Sequence, residues 1–443
     1  MRRSRVASPV VLLAAMSLAS AAAAQLSPQD RERQVNAFTT GSQSSSAVAA
    51  DPQGNFVVVW QSVGSVAGDS SLLSIQAQRY DRLGRKVGSQ SQVNTYTTNA
   101  QQRPSVGLDA GGNWVVVWES EGSSQGDTSG RSVHGQRVAA NGAPLGAEFQ
   151  VNTYTSLNQY YPGVAVAPDG SFLVVWESDG SPESDSISTS IQARFYDVAG
   201  LPSGNQFQVN VVTTGFQELP AVAAAGTGDF VVAWKHNGAG VADPLSVQAM
   251  LVAAGGAPAG AQFQVNSYST GTQTTPAVAA DGSGNFVVAW QSLPGGAETE
   301  IEAAIFDPAG VPISGEFQVN SYSTLNQAEP SVASSPQGDF VIAWKSLGSA
   351  GGDTHLDSVH ARRYDADGSA RGAEFQANTY TTGNQMLPAV AMDGTGNFVL
   401  AWESDGSFDD DASGKSVQQR RFDALFRDGF EVGTTARWSA AVP

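Results

Sequence analysis

A tryptophan recurs at Trp60, Trp118, Trp176, Trp234, Trp290, Trp344 and Trp402, at steps of 58, 58, 58, 56, 54 and 58 residues. Each one closes a short run rich in Val and Ala. A second mark, Val-Asn or Ala-Asn, keeps the same steps at Asn36, Asn94, Asn152, Asn210, Asn266, Asn320 and Asn378. Self-similarity at a nearly fixed period is the signature of repeat architectures. The chain therefore reads as seven copies of one unit.

Each unit holds four strand-like runs. In the second unit they are A (104–108), B (113–118), C (132–138) and D (148–152). Asp-Ala-Gly-Gly separates A from B and Ala-Ala-Asn-Gly separates C from D; both supply the positive φ of hairpin turns. Run B is almost continuously apolar, as a strand covered on both faces must be. Run C alternates, as in residues 190–196. A lone four-stranded meander cannot bury two faces, whereas a ring of stacked meanders can. Immunoglobulin-like units need about 100 residues each, and a linear solenoid needs capping units that are not seen. The predicted fold is all-β, a seven-bladed β-propeller of four-stranded blades over residues 33–424. Blade cores are expected near 47–94, 104–152, 162–210, 220–266, 276–320, 330–378 and 388–423.

The chain ends carry the closure argument. Gln34-Val35-Asn36 is a D run with no A, B or C before it. The last unit has A (388–392), B (397–402) and C (416–423) but no D. An N-terminal strand completing the last blade would close the ring and remove its free edges.

Residues 1–24 read as a signal peptide: Arg2, Arg3 and Arg5, an apolar stretch over 10–18, then Ala22-Ala23-Ala24. The alternative is a retained N-terminal anchor, although the apolar run is too short to span a bilayer. Export is expected, to the periplasm, the outer cell surface or the medium. Net charge is −18, and −21 without the three leader arginines, which argues against nucleic acid and anionic membranes as partners. No cysteine is present, so stability rests on packing. A monomer is expected.

In a propeller meander the B–C and D–A connections share one rim, and here these are the long ones. Trp to the first apolar residue of run C is 15 residues in five units, 13 from Trp234 to Val247 and 11 from Trp290 to Ile301. All length variation thus falls in one loop type on one face, where functional residues concentrate. The five long B–C loops carry Trp-x-Ser-x-Gly-Ser and an aspartate nine residues after the Trp: Asp69, Asp127, Asp185, Asp353 and Asp411, with Asp409 beside the last. One reading is Ca²⁺, which takes roughly six to eight oxygens. The other is closure of the loop by side-chain to backbone bonds. The D–A loops repeat a glutamine, at Gln43, Gln101, Gln159, Gln217, Gln273, Gln327 and Gln385. An aromatic follows the asparagine, including Tyr96, Tyr154, Tyr268, Tyr322 and Tyr380. These Gln and Tyr residues are candidates to bind and stack a sugar, or alternatively to fasten blade to blade.

Hallmarks of catalysis are absent from the sequence. His134, His236, His355 and His360 have no zinc spacing, and neither a nucleophile elbow nor a P-loop occurs. His134 and His360 take a run-C position that other units give to Gln, and are expected at the surface or between strands. The expectation is a non-catalytic module that binds a glycan or protein through its long-loop face, with Ca²⁺ the cation that face would take. The alternatives are a hydrolase or lyase acting at the central channel, and a structural or envelope-assembly propeller. An acidic cluster lining the channel would favour the enzyme.

Phe-Gln-Val-Asn-Thr-Tyr-Thr, Gly-Asn-Phe-Val-Val-Val-Trp-Glu-Ser-Asp-Gly and Ile-Gln-Ala-Arg-Arg-Tyr-Asp sum up the unit. It resembles a repeat of bacterial secreted and surface proteins, many of them calcium-binding, haemolysin-type or cadherin-like adhesins. The resemblance covers nearly all of 33–424 and implies location more than mechanism. The Gly-Gly-x-Gly-x-Asp nonapeptides of the large adhesins are missing. Residues 425–443 resemble a short C-terminal segment of exported Gram-negative proteins, read either as a sorting tag or as a strand packed on the ring.

Overall fold

The computed structural model describes residues 31–424, apart from residue 270 and parts of the B–C connections (66–68, 70–71, 124–125, 128, 182–187, 240, 242–244, 296–297, 349–355, 408–410 and 412–413). The expected signal peptide, the C-terminal segment and Asp185, Asp353 and Asp409 lie outside the described residues.

Among the described residues there is no helix, and the strands form seven antiparallel sheets of four. Blade 1 runs A (Gln43–Ala50), B (Phe56–Val63), C (Leu73–Tyr80) and D (Lys86–Gln92). Blades 2 to 6 repeat that order. Blade 7 takes A (Gln385–Met392), B (Phe398–Asp405) and C (Lys415–Phe422) from the C-terminal end, and D (Arg33–Gln34) from the N-terminal end. Arg33 lies opposite Gln419 and Gln34 opposite Gln418. The Val35 N–H donates to the Val417 carbonyl at 2.8 Å. A strands of consecutive blades pack on one another all round, the first against the seventh, so they are innermost and the ring is closed.

The continuous apolarity of strand B follows from its two neighbours. Side chains alternate along a strand. Phe56, Val58 and Trp60 pack towards blade 7, on Val399 and Ala401. Val57 and Val59 pack towards blade 2, on Trp114, Val116 and Trp118. Both faces of B are core, and the seven tryptophans that mark the repeat are fully buried.

The start of strand A corrects the sequence reading. Strand A begins at the repeated glutamine, three residues before the expected start at 104, and crosses a bulge on the way. The bulge residue is left-handed in all seven blades: Ser45, Arg103, Tyr161, Leu219, Thr275, Glu329 and Leu387 have φ between 46° and 56°. That conformation is costly for L residues. It turns the backbone N–H out of the ladder, towards the neighbouring blade.

Candidate functional site

The repeated glutamines lie beneath the long-loop face, buried at the head of strand A. In six blades the Trp indole N–H donates to the glutamine Oε1, at 3.0 Å for Trp118 to Gln101. Blade 3 differs: Gln159 Oε1 accepts from Asn152, and the buried Trp176 N–H has no hydrogen-bond partner. Gln101→Leu would leave the Trp118 N–H unpaired in the core, at about 1–3 kcal/mol. The expected result is a lower melting temperature with the ring retained, read by circular dichroism.

The asparagines and aspartates form a second fastening. In every blade the Asn Oδ1 accepts the N–H of a buried Val or Ile near the start of strand C, at 2.8–3.0 Å. Its Nδ2 donates to the carbonyl two residues on. Asp69, Asp127 and Asp411 are buried and accept from Asn94, Asn152 and Asn36 at 3.5, 3.1 and 2.9 Å. In blade 5, whose loop is shortest, Glu300 supplies the acceptor for Asn320 from strand C. Among the described residues no group of three His, Asp or Glu side chains could hold a metal ion.

Tyr96, Tyr154, Tyr322 and Tyr380 are half-buried and Tyr268 is exposed, all on the crossovers between blades. Their backbone is pinned from the next blade. Glu148 accepts the Thr95 and Tyr96 N–H groups, and Gln90, Gln206, Gln262, Glu316, Glu374 and Glu32 repeat this contact. In blades 1 to 4 and 6 the pin faces a buried residue of strand C, as in Gln90 Nε2 to Gln76 at 3.1 Å or His134 Nδ1 against Glu148 at 2.9 Å. His134 and His360 are therefore buried inter-strand residues. His360 Nδ1 stands 3.6 Å from Glu374, an ion-pair distance too long for a hydrogen bond.

Blade 5 puts two acids at this place, Glu302 and Glu316. Burial, and then the charges of Glu316 and Glu300, push Glu302 up to about 7. Glu302→Gln restores the residue found in blades 1, 3, 4 and 7. It is expected to stabilise the protein at pH 8 by about 1–3 kcal/mol and to change little at pH 5. Urea denaturation at the two pH values measures the difference.

The residue after each Trp forms a ring of another kind. It is Gln61, Glu119, Glu177, Lys235, Gln291, Lys345 and Glu403 in blades 1 to 7. It lies at the long-loop end of strand B, beside the innermost strand of the next blade. There it can accept the bulge N–H. Gln61 accepts from Arg103 at 2.9 Å, Glu119 from Tyr161 at 2.9 Å, Glu177 from Leu219 at 3.1 Å and Glu403 from Ser45 at 2.6 Å. Where a lysine stands instead, it pairs with an acid of its own strand A: Lys235 with Glu218 at 2.6 Å and Lys345 with Glu329 at 2.7 Å.

Three carboxylates in the ring are thus buried, and two of them are neutralised. Arg103 and Arg131 hold Glu119 at 3.0 and 3.3 Å, and Lys415 holds Glu403 at 2.9 Å. Arg131 and Lys415 are the first residues of strand C in their blades. In blade 3 that residue is Thr189, whose hydroxyl accepts the Gln217 N–H instead. Glu177 is left, 6% exposed, with a backbone N–H and, among the described residues, no cation. Burial pushes it up to about 7, opposed by the Leu219 N–H and reinforced by the charges of Glu218, Asp179 and Glu119.

The side chains around Glu177 are polar and aromatic. Tyr160 lies opposite Glu177 in the A–B register, and Asp179 follows two residues along strand B. All three share one face of the blade, with about 7 Å between the two acidic Cα atoms. Asp179 accepts from the Tyr160 hydroxyl at 3.3 Å and from Asn158 Nδ2 at 3.0 Å. The Arg103 guanidinium lies 4.5 Å above the Tyr161 ring and that of Arg131 5.6 Å from the Tyr160 ring. Two grooves open on the opposite, tight-turn face, one beside Phe195 and Gly226, the other beside Asp51 and Ala140. Neither includes any of these residues.

Sequence reasoning did not find Glu177. It stands at the variable position of Trp-x-Ser-x-Gly-Ser, and variation at one fixed place of a regular unit was the available signal.

No protein-family model matches the chain, and no curated protein matches its sequence. Solved structures show similarity of fold. A protein of unknown function from Dyadobacter fermentans is 10% identical, with a TM-score of 0.50, over 88% of this chain and 97% of that one. Polysaccharide lyase Uly1 is 9% identical with a TM-score of 0.50, over 89% and 92%. A fungal alcohol oxidase in complex with copper is 12% identical with a TM-score of 0.50, over 89% and 76%. The expectation of a non-catalytic module is corrected here. Enzymes share this fold, so a seven-bladed ring is no mark of a binding module. The buried acids Glu119, Glu177 and Glu403 stand on B strands, beside the innermost strand of the next blade.

Proposed function

We propose that this chain is an exported glycan-cleaving enzyme, a hydrolase or lyase, acting at the long-loop mouth of the ring where blades 2, 3 and 4 meet. The observation that carries the reading is Glu177, a buried carboxyl without a cation, pushed up to about 7 beside Asp179 and two tyrosines. A group that titrates near neutral pH can give a proton to a leaving oxygen or take one from carbon. Arranging it costs stability, and a structural role would not need that cost, since Gln61 and Gln291 occupy the same place in other blades. Tyr160 and Tyr161 give the flat apolar faces on which sugar rings stack. The lyase of similar fold supports polysaccharide as the substrate class.

The test is incubation with a panel of neutral and uronic acid polysaccharides. Reducing ends report hydrolysis, and ultraviolet absorbance of unsaturated ends reports elimination. Product from wild type and none from Glu177→Gln is expected. No product from any polysaccharide overturns the reading. An adhesin-like role has the sequence resemblance as its support, and glycan binding without cleavage would favour it.

A further inference from the structure

Blades 2 and 7 both bury a carboxylate after the Trp, yet they neutralise it differently. Lys415 alone suffices for Glu403. Glu119 has two guanidiniums, Arg131 at the place of Lys415 and Arg103 at a place where blade 7 has Leu387. Glu119 therefore faces two guanidiniums where Glu403 faces one ammonium, with Glu121 opposite Arg131 across strands B and C. The two arginine side chains are 39% and 36% exposed, whereas Glu119 is fully buried. Glu119 engages Nη1 of each, so further N–H donors of both planar groups remain. Each guanidinium is also laid against a tyrosine ring of blade 3. Such stacking holds the fork in place without consuming its donors.

We propose that Arg103 and Arg131, placed on Tyr161 and Tyr160, form a subsite for an anionic sugar bearing a carboxylate or a sulfate. The subsite lies across blades 2 and 3, next to Glu177. It deepens the reading of a glycan-active mouth and rests on it for the choice of a sugar. Planar forks with several donors match the oxygens of either group bidentately. The buried Glu119 fixes both forks from below and faces them to solvent.

The experiment is isothermal titration with three probes: an oligogalacturonate, a sulfated galactan oligosaccharide and a neutral galactan oligosaccharide of equal length. Wild type is expected to bind one anionic probe at least tenfold more tightly than the neutral one, with affinity falling as salt rises. The anionic probe preferred tells carboxylate from sulfate. Arg131→Thr reproduces the residue of blade 3. Arg103→Gln removes the second guanidinium and keeps Glu119, held by Arg131, as the acceptor for the Tyr161 N–H. Melting curves confirm that both variants fold. Each should lose tenfold or more in anionic affinity and leave neutral affinity unchanged. Equal affinity for neutral and anionic probes, unchanged affinity in the arginine variants, or no binding of either anionic probe overturns the subsite. Anionic binding without cleavage keeps the subsite and sinks the catalytic reading. Cleavage of neutral glycans without anionic preference does the reverse.

Discussion

Glu177→Gln is expected to lower turnover at least a hundredfold and, in the same protein, to raise stability at alkaline pH. The two effects have one cause. Burial strips the carboxylate of its hydration, and neighbouring acids oppose its charge, so it holds its proton up to about 7 rather than the usual 4.5. Loss of an acid–base group costs about 10²–10⁴ in rate. Between about 4.5 and 7 the folded chain holds a proton here that the unfolded chain has released. Stability therefore falls as pH rises through this window, by up to about 3 kcal/mol from this group. Glutamine removes that slope, and Gln61 shows that its amide oxygen can take the bulge N–H at this position. Thermal melting at pH 5 and pH 8 should show the variant close to wild type at the lower value and above it at the higher. A variant less stable than wild type at pH 8 would contradict the uncompensated charge. Unchanged turnover would remove Glu177 from the reaction.

Deleting residues 31–37 is expected to cost several kcal/mol and to make the chain associate through the exposed edge. The segment is short but central to closure. Val35 is fully buried in the core shared by blades 7 and 1. Asn36 accepts the Val417 N–H at 3.0 Å and donates to Asp411 at 2.9 Å. Without them, strand C of blade 7 presents a free edge of eight residues, a template for pairing with other chains. Light scattering after size exclusion should show oligomers, and melting should move down by many degrees. Asn36→Ala is the milder form and should destabilise without association. A deletion variant that stays monomeric and melts within about 2 °C of the full chain would mean that closure rests on the A strands alone.

These experiments separate two kinds of residue that the repeat treats alike. The tryptophan, asparagine and glutamine positions are the same in nearly every blade because each blade faces the same neighbour problem. Their bonds are local, with partners 17 or 19 residues away, and recur with the period. Such positions are legible from spacing. Even so, the bulge is not legible, and strand A begins three or four residues ahead of the expected starts. The left-handed residue is stabilised by a side chain from the adjacent blade, 42 residues away for Tyr161 and Glu119. Nothing local marks it.

By itself the sequence determined the ring: seven units, four strands in each, and an N-terminal strand joining the last blade. Burial is why this was readable. A meander with two apolar faces has to stack, and offset ends have to meet. Tertiary structure alone decided which acid is uncompensated. Glu119, Glu177 and Glu403 are equivalent in the repeat, and each follows a tryptophan. Their difference lies in whether the opposite strand begins with Arg131, Thr189 or Lys415, and in what the next blade sets beside them. Charge compensation depends on distance through space, and the ring brings together side chains that the period of about 58 keeps apart in the chain.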